Sequence, residues 1–386
     1  MTKEIVISNE IGLTISKVSL LAALSNVQSV VQNRNPFAIL ANVKLDADVD
    51  KITITATDMD ITISETIAAD VTTSGTLTVG AHALHNIIKK MPEGCTVDIR
   101  GDSATSGKVQ IKSKGCRFVL PTIASDDFPV MTRGDLTCEI DIATTEFLAL
   151  LTKTSFAFSK DESRHYLQGV SLKRDNNKII ARATDTHKLA KIATVTPIDV
   201  NIFPTFEEFP DIIIPAKTVG ILTKILNKPL GDVKISLSSN KLCVGFGNVV
   251  IISKLVDGEF PDTDKFSPSE LVNKLEVDRE PILKAIDRVS LATNVMTNAI
   301  SIVIKGDMMV VSAQSPENGS AEEDIPIDCN IDFVKRNYNS KYLLELLSSL
   351  NSDSVIFYFA EKPGIPNVIL NPAADNEYYI IMPMSD

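Results

Sequence analysis

One pattern recurs along this chain at a nearly fixed spacing, and it limits the possible folds more than any other feature. Residues 39 to 67 read ILANVKLDADVDKITITATDMDITISETI, and residues 166 to 195 read YLQGVSLKRDNNKIIARATDTHKLAKIATV. Each is a strand, a polar turn, a second strand ending Ala-Thr-Asp and a third strand. Ala56-Thr57-Asp58 and Ala183-Thr184-Asp185 lie 127 residues apart (183 − 56). A weaker third copy spans residues 299 to 327, with Ala313-Gln314-Ser315 a further 130 residues on (313 − 183). Ser125-Asp126-Asp127-Phe128-Pro129 and Asp257-Gly258-Glu259-Phe260-Pro261 keep the same step, their phenylalanines 132 apart (260 − 128). Independent landmarks in one period mean tandem copies of a single folding unit.

A helical stretch precedes each copy (16–31, 144–158 and 280–293) and another follows it (81–91, 216–226 and 339–350). Their apolar residues fall at i, i+3, i+4 and i+7, the stripe of an amphipathic helix. Asn339-Ser340 opens the last one as a candidate N-cap. The expected architecture is therefore α+β: three similar domains at 1–133, 134–270 and 271–386, with linkers around MTRGDL and FSPSEL. Each packs two helices on antiparallel sheets of roughly eight short strands.

Composition agrees. At 386 residues and 44% hydrophobic content the chain can bury several cores. Trp is absent and aromatics make up only 5%, which favours aliphatic strand packing. No apolar run reaches membrane-spanning length. The N-terminus MTKEIVISNEIGLTIS alternates like a strand and lacks the apolar core of a signal peptide. The five cysteines (Cys95, Cys116, Cys138, Cys243, Cys329) are odd in number and widely spaced, as expected of reduced thiols in the cytoplasm. None of the four histidines sits at ligand spacing from a cysteine, so no metal or cofactor is expected.

The formal charge of −11 argues against a protein that coats nucleic acid, unless the charge is segregated. The helices carry mostly bases on their outward positions: Lys17, Lys89, Lys90, Lys153, Lys217, Lys224, Lys228, Lys284 and Arg288. The acids gather in loops such as ADVDK, SDDFP, FEEFPD and AEED. A shared basic helix surface can hold phosphates without reading bases. Two copies of the chain would supply twelve helices. At about 10 Å between axes these make a circle roughly 38 Å across, with a hole of roughly 28 Å once a helix width of about 10 Å is removed. A B-form duplex, its grooves about 8.5 and 7.5 Å deep, is on the order of 20 Å across and would fit.

The segments ATDMDI, SRHYLQGV, ATDTHKLA, KLVDGEFPD and the C-terminal YYIIMPM resemble the bacterial sliding clamp, the β subunit of DNA polymerase III, from end to end. The resemblance implies a head-to-tail homodimeric ring around double-stranded DNA, held without sequence preference. It implies a hydrophobic pocket for a short peptide containing Gln and Leu or Phe, carried by the polymerase III alpha subunit, the clamp loader, other polymerases and repair proteins. Carried over residue by residue, the pocket comprises Leu167, Thr184, Thr186, His187, Lys188, Leu189, Pro261, Phe266, Asn339, Tyr342, Ile380, Met382, Pro383 and Met384. The family usually has Gly-His-Arg-Leu where this chain has Thr186-His187-Lys188-Leu189, a smaller aliphatic at Phe266, and a basic residue and Leu at Ser385-Asp386. These departures bear on peptide preference. Expected DNA contacts are Arg34, Lys89, Lys90, Lys153, His165, Tyr166, Lys217, Lys224, Lys284 and Arg288. The dimer interface would use Arg117, Phe118 and Leu120 on one side and Leu291, Glu317, Glu322 and Glu323 on the other.

Two other readings compete. Asp58 with Asp60, Asp185 with His187, or a Ser163–His187–Asp185 set would be the material of an enzyme. No GxSxG, P-loop, HExxH or GxGxxG motif accompanies them, and aspartates at matching strand ends are better explained as turn caps. Without a nucleotide motif, opening a ring would need a separate ATP-driven loader. A protein-only scaffold of three β-rich repeats is the second alternative; it would lack the basic channel.

Overall fold

In the computed structural model, residues 10–32, 36–102, 106–202, 209–227, 231–263, 273–362 and 364–384 are described. They include six α-helices: α1 (Lys17–Val27), α2 (Ala81–Lys90), α3 (Thr144–Ser155), α4 (Ala216–Ile225), α5 (Arg279–Ser290) and α6 (Ser340–Ser349). All six lie where the apolar spacing puts them, with shorter ends. The stretch 16–31 breaks after Val27 into a 3₁₀ turn, and α3 stops at Ser155. The buried stripe of α5, Ile282, Ala285, Ile286 and Val289, has the i, i+3, i+4, i+7 pattern. Asn339 caps α6 by accepting from the Lys341 amide at 3.0 Å.

The chain forms two compact units. The first comprises Met1–Thr144, Val200–Glu208 and Lys224–Leu255, and the second Thr145–Asp199, Phe209–Thr223 and Val256–Asp386. The strands of the second repeat are thus divided between units. In the first unit, Val249–Lys254 of the second repeat pairs antiparallel with Ile61–Ala68 of the first, within a 14-stranded sheet. In the second unit, Lys188–Ala193 pairs antiparallel with Glu377–Ile381 of the third repeat, within an eight-stranded sheet. A four-stranded sheet, Gly319–Pro326, Met308–Ser315, Ala299–Lys305 and Phe333–Asn339, completes the second unit.

The Ala-Thr-Asp signature folds the same way twice. Asp58 Oδ1 accepts from the amides of Asp60 and Ile61 at 3.0 and 2.8 Å, and Asp185 Oδ1 accepts from those of His187 and Lys188, each at 2.9 Å. Thr57 and Thr184 each donate a hydroxyl to the carbonyl four residues on and accept from the amide two residues on. That geometry drives Met59 and Thr186 to positive φ, 75° and 79°. Both pay the strain of a side chain in the left-handed region. The third copy uses a lighter version, in which Ser315 Oγ accepts from Asn318 N at 2.9 Å and Gly319 takes the positive φ of 77°. The aspartates cap turns.

Not every outward lysine stays outward. Lys17 was expected on a helix surface, yet its side chain is only 2% exposed and its ammonium donates to the Met91 carbonyl and to Glu93. A position at the first turn of α1 is roofed by the segment after α2, which the helical pattern alone does not reveal. All five cysteines are free thiols. Among the described residues no helix is long and apolar enough to cross a membrane, and no cluster of three metal-ligating side chains occurs.

Because the turn aspartates act through an acceptor oxygen, Asp58→Ala and Asp185→Ala should each cost about 1–2 kcal/mol, while the Asn variants keep most of that stability. Denaturant unfolding of the four variants tests this; equal losses for Ala and Asn would rule out the capping role.

Candidate functional site

The residues expected to form a pocket converge in the second unit. The ladder between Lys188–Ala193 and Glu377–Ile381 sets Leu189 opposite Ile380, and both pack with Val368 in a core rimmed by Tyr358, Leu370 and Tyr378. Beyond the last strand the chain stays tied down. The Met382 amide donates to the His187 carbonyl at 2.8 Å and the Met384 amide to the Asn337 carbonyl at 2.7 Å. Met382, Pro383 and Met384 are half-buried as a result. Adaptable thioethers therefore stand on a fixed backbone, a surface suited to several related apolar peptides.

Against His187 stands α6. The exposed His187 ring stacks on the half-buried Tyr342 ring at 6.2 Å and 19°. Lys188 turns inward: its side chain is 5% exposed, its ammonium pairs with Glu345 and lies 4.4 Å from the Tyr342 ring centroid. Lys188, expected among the pocket residues, is thus buried rather than presented on the surface. Thr186 remains exposed and accepts from Arg164 Nη1 at 3.1 Å, which pins the strained turn. Leu167 and Thr184 are buried, and Pro261 is half-buried. Phe266 and Ser385-Asp386 lie outside the described residues. Glu345 was not anticipated from the sequence; its only signal is its place one turn beyond Tyr342 on α6.

The cationic helix positions divide into two groups. Lys89, Lys90, Lys217 and Lys224 are exposed. Lys153, expected to face phosphate, has only 19% side-chain exposure and pairs with the buried Glu377, which also accepts from Asn371 and the Tyr379 hydroxyl. A cation so engaged has little charge to offer a polyanion. Lys284 and Arg288 are exposed but paired with Glu280 and Glu323. These surface pairs are weak enough to be exchanged. Arg288 holds the Glu323 carboxyl below its usual range, and Lys284 does the same for Glu280. Arg34 lies outside the described residues. His165 and Tyr166 meet edge to face at 5.8 Å, so they do not present two parallel stacking faces. Tyr166 also presses on Gly258, where an added Cβ would come within 3.1 Å at a φ of 132°. Glycine is required there.

Among the described residues, the strands with open hydrogen-bonding edges include two of eight residues. Cys116–Ile123 pairs fully with Lys108–Ser113 on one side but only at Thr122 and Ile123 with Gly75–Gly80 on the other. It carries exposed Arg117, Phe118 and Val119 and half-buried Leu120. Gly319–Pro326 is the end strand of its sheet and carries Glu322, Glu323 and Asp324. Glu317 is exposed just before it, and Leu291 after α5 is 79% exposed.

Three family models of the DNA polymerase III beta subunit match in order: the N-terminal domain at residues 11–132, the central domain at 141–262 and the C-terminal domain at 265–385. The chain belongs to the DNA polymerase III beta subunit family. A curated beta sliding clamp from Caulobacter vibrioides is 31% identical over 376 residues, covering 96% of this chain and 99% of its own. One from Rickettsia bellii is 31% identical over 383 residues, covering 95% and 97%. The solved sliding clamp from Bartonella birtlesii, bound to griselimycin, superposes with a TM-score of 0.91 at 30% identity, covering 98% of this chain and 100% of that one. The fold is thus the tandem α+β clamp fold, and the protein is a DNA sliding clamp, a non-catalytic processivity factor.

All six tyrosines of this clamp belong to the second unit. Burial pushes the Tyr378 phenol up to about 12, and the buried Tyr338 and Tyr379 phenols are raised as well. The fold favours the neutral phenol, so this stability is whole below the unfolded value of about 10. It drains away as pH climbs from there through the folded value. The denaturation midpoint of the second unit should fall between about pH 10 and 12, less steeply in Tyr378→Phe. A Tyr378→Phe profile as steep as that of the parent would refute the assignment.

Proposed function

We propose that two copies of this clamp close head to tail into a ring around duplex DNA, in the cytoplasm, with domains at 1–133, 134–270 and 271–386. The ring would tether the polymerase III alpha subunit, the clamp loader, other polymerases and repair proteins through the surface around Thr186, His187, Leu189, Tyr342 and Ile380–Met384. The observation that carries this reading is the complementary pair of open strand edges. One bears Arg117 with apolar Phe118 and Val119, and the other bears Glu322, Glu323 and Asp324. Edges that differ in charge favour a heterologous contact, which closes when the rotation permits. Encirclement keeps a polymerase at high effective concentration near its template, so modest peptide affinity suffices. Lys89, Lys90, Lys217 and Lys224 are exposed on their helices, and sequence-independent phosphate contact is assigned to them.

Topological linkage survives salt, whereas counterion-driven binding falls steeply with it. Once placed on closed circular DNA by a clamp loader, the protein should remain bound in high salt and leave when the circle is cut. Equal salt sensitivity on circular and linear DNA would defeat the ring. Deleting Met382 to Asp386 removes the two backbone ties to His187 and Asn337 and the methionines with them. Partner-peptide affinity should drop at least about tenfold while sedimentation still reports the dimer. Unchanged peptide affinity would move the site elsewhere.

A further inference from the structure

We propose that Lys188 and Glu345 form an internal strut that sets the position of Tyr342 and His187, and through them the affinity of the partner-peptide surface, without touching the peptide. This inference rests on the pocket reading above and deepens it.

The geometry around the ammonium is specific. Lys188 comes from the turn after the second Ala-Thr-Asp, and Glu345 and Tyr342 come from α6, in the third repeat. The ammonium pairs with Glu345, stands 3.8 Å from Asp185 Oδ2, and lies 4.4 and 5.7 Å from the ring centroids of Tyr342 and Phe156. With 5% of its side chain exposed, it needs these partners to remain charged, and they fix where it sits. Of the two carboxylates, Asp185 accepts the turn amides of His187 and Lys188 through Oδ1 and meets the ammonium through Oδ2 at 3.8 Å, the longer of the two ionic contacts. Glu345, with 39% exposure, is therefore the partner that α6 contributes to this contact.

The cation also lies against the Tyr342 ring, and that ring stacks on His187. One charge therefore stands against Tyr342 and, through that ring, bears on His187, whose carbonyl accepts from the Met382 amide. Loss of Glu345 leaves the ammonium only the longer contact to Asp185 Oδ2, and loss of Lys188 leaves Glu345 without its ionic partner and the Tyr342 ring without the cation beside it. A lysine does this as a point charge, where the arginine usual in the family would present a planar fork. Lys188 is in this sense a positioning residue.

The test uses the full-length dimer with Lys188→Met, Glu345→Gln, the double variant and Lys188→Arg. Two readouts are made. The first is the NMR shift of the His187 Cε1 proton, resolvable because the chain has only four histidines, and displaced in the parent by the Tyr342 ring. The second is anisotropy of a fluorescein-labelled peptide containing Gln and a Leu-Phe pair.

The expected result is that both single variants move the His187 shift toward that of free histidine and weaken peptide binding about fivefold or more. The double variant should be no worse than either single, because the two groups act as a unit. Lys188→Arg should retain both signals. Glu345 is partly exposed, so Glu345→Gln should fold and carries the test if Lys188→Met does not. An unchanged His187 shift in Glu345→Gln overturns the strut, as does additive loss in the double variant. If the parent protein fails to bind the peptide, the pocket reading fails, and the histidine shift still decides the strut by itself.

Discussion

The need of every strand edge for a hydrogen-bonding partner governs this clamp. Neighbouring repeats satisfy it by sharing ladders. Val249–Lys254 extends the sheet of the first repeat, and Glu377–Ile381 extends that of the second. The folding repeat and the compact unit therefore do not coincide: three copies in sequence become two bodies in space. Among the edges that sharing leaves over in the described residues are the part of Cys116–Ile123 before Thr122 and the whole of Gly319–Pro326, and these differ in polarity and charge. A long open edge is an aggregation hazard unless something covers it. A second copy of the same chain, turned head to tail, is the covering that the proposed ring supplies.

The sequence announced the architecture because its signals are local. The Ala-Thr-Asp triplet contains the threonine that buttresses the turn and the aspartate that caps it, so the fold of residues 57–61 and 184–188 is written within a few positions. Helix positions were equally legible, since a stripe such as Ile282, Ala285, Ile286 and Val289 needs no distant information. The misreadings concern side chains whose fate depends on residues far along the chain. Lys17 is claimed by Glu93, and Lys153 by Glu377, 224 positions away. Lys188 turns inward for Glu345, 157 positions away. A lysine on a helix stripe looks solvated until its partner is brought to it by tertiary folding.

The proposed partner surface combines two kinds of material. On the strand side, Leu189 and Ile380 belong to a packed core, and Met382 and Met384 are tied through their amides. On the helix side, aromatic rings rest on an ion pair whose cation is buried and whose carboxylate is partly exposed. Apolar area supplies much of the attraction in such a site. The ion pair adds placement, because desolvated charges tolerate little displacement from their partners. The departure from the family at Lys188 thus sits beneath the contact surface.

The location of every tyrosine in the second unit, in a chain without tryptophan, has a practical consequence. Intrinsic ultraviolet emission from this protein comes from one half of the molecule. The body built on the 14-stranded sheet is optically silent to that probe. Unfolding followed by emission would follow the half that bears the proposed partner surface, whereas far-ultraviolet circular dichroism would follow both. Any divergence between those two curves would time the independent melting of the halves, with no label attached.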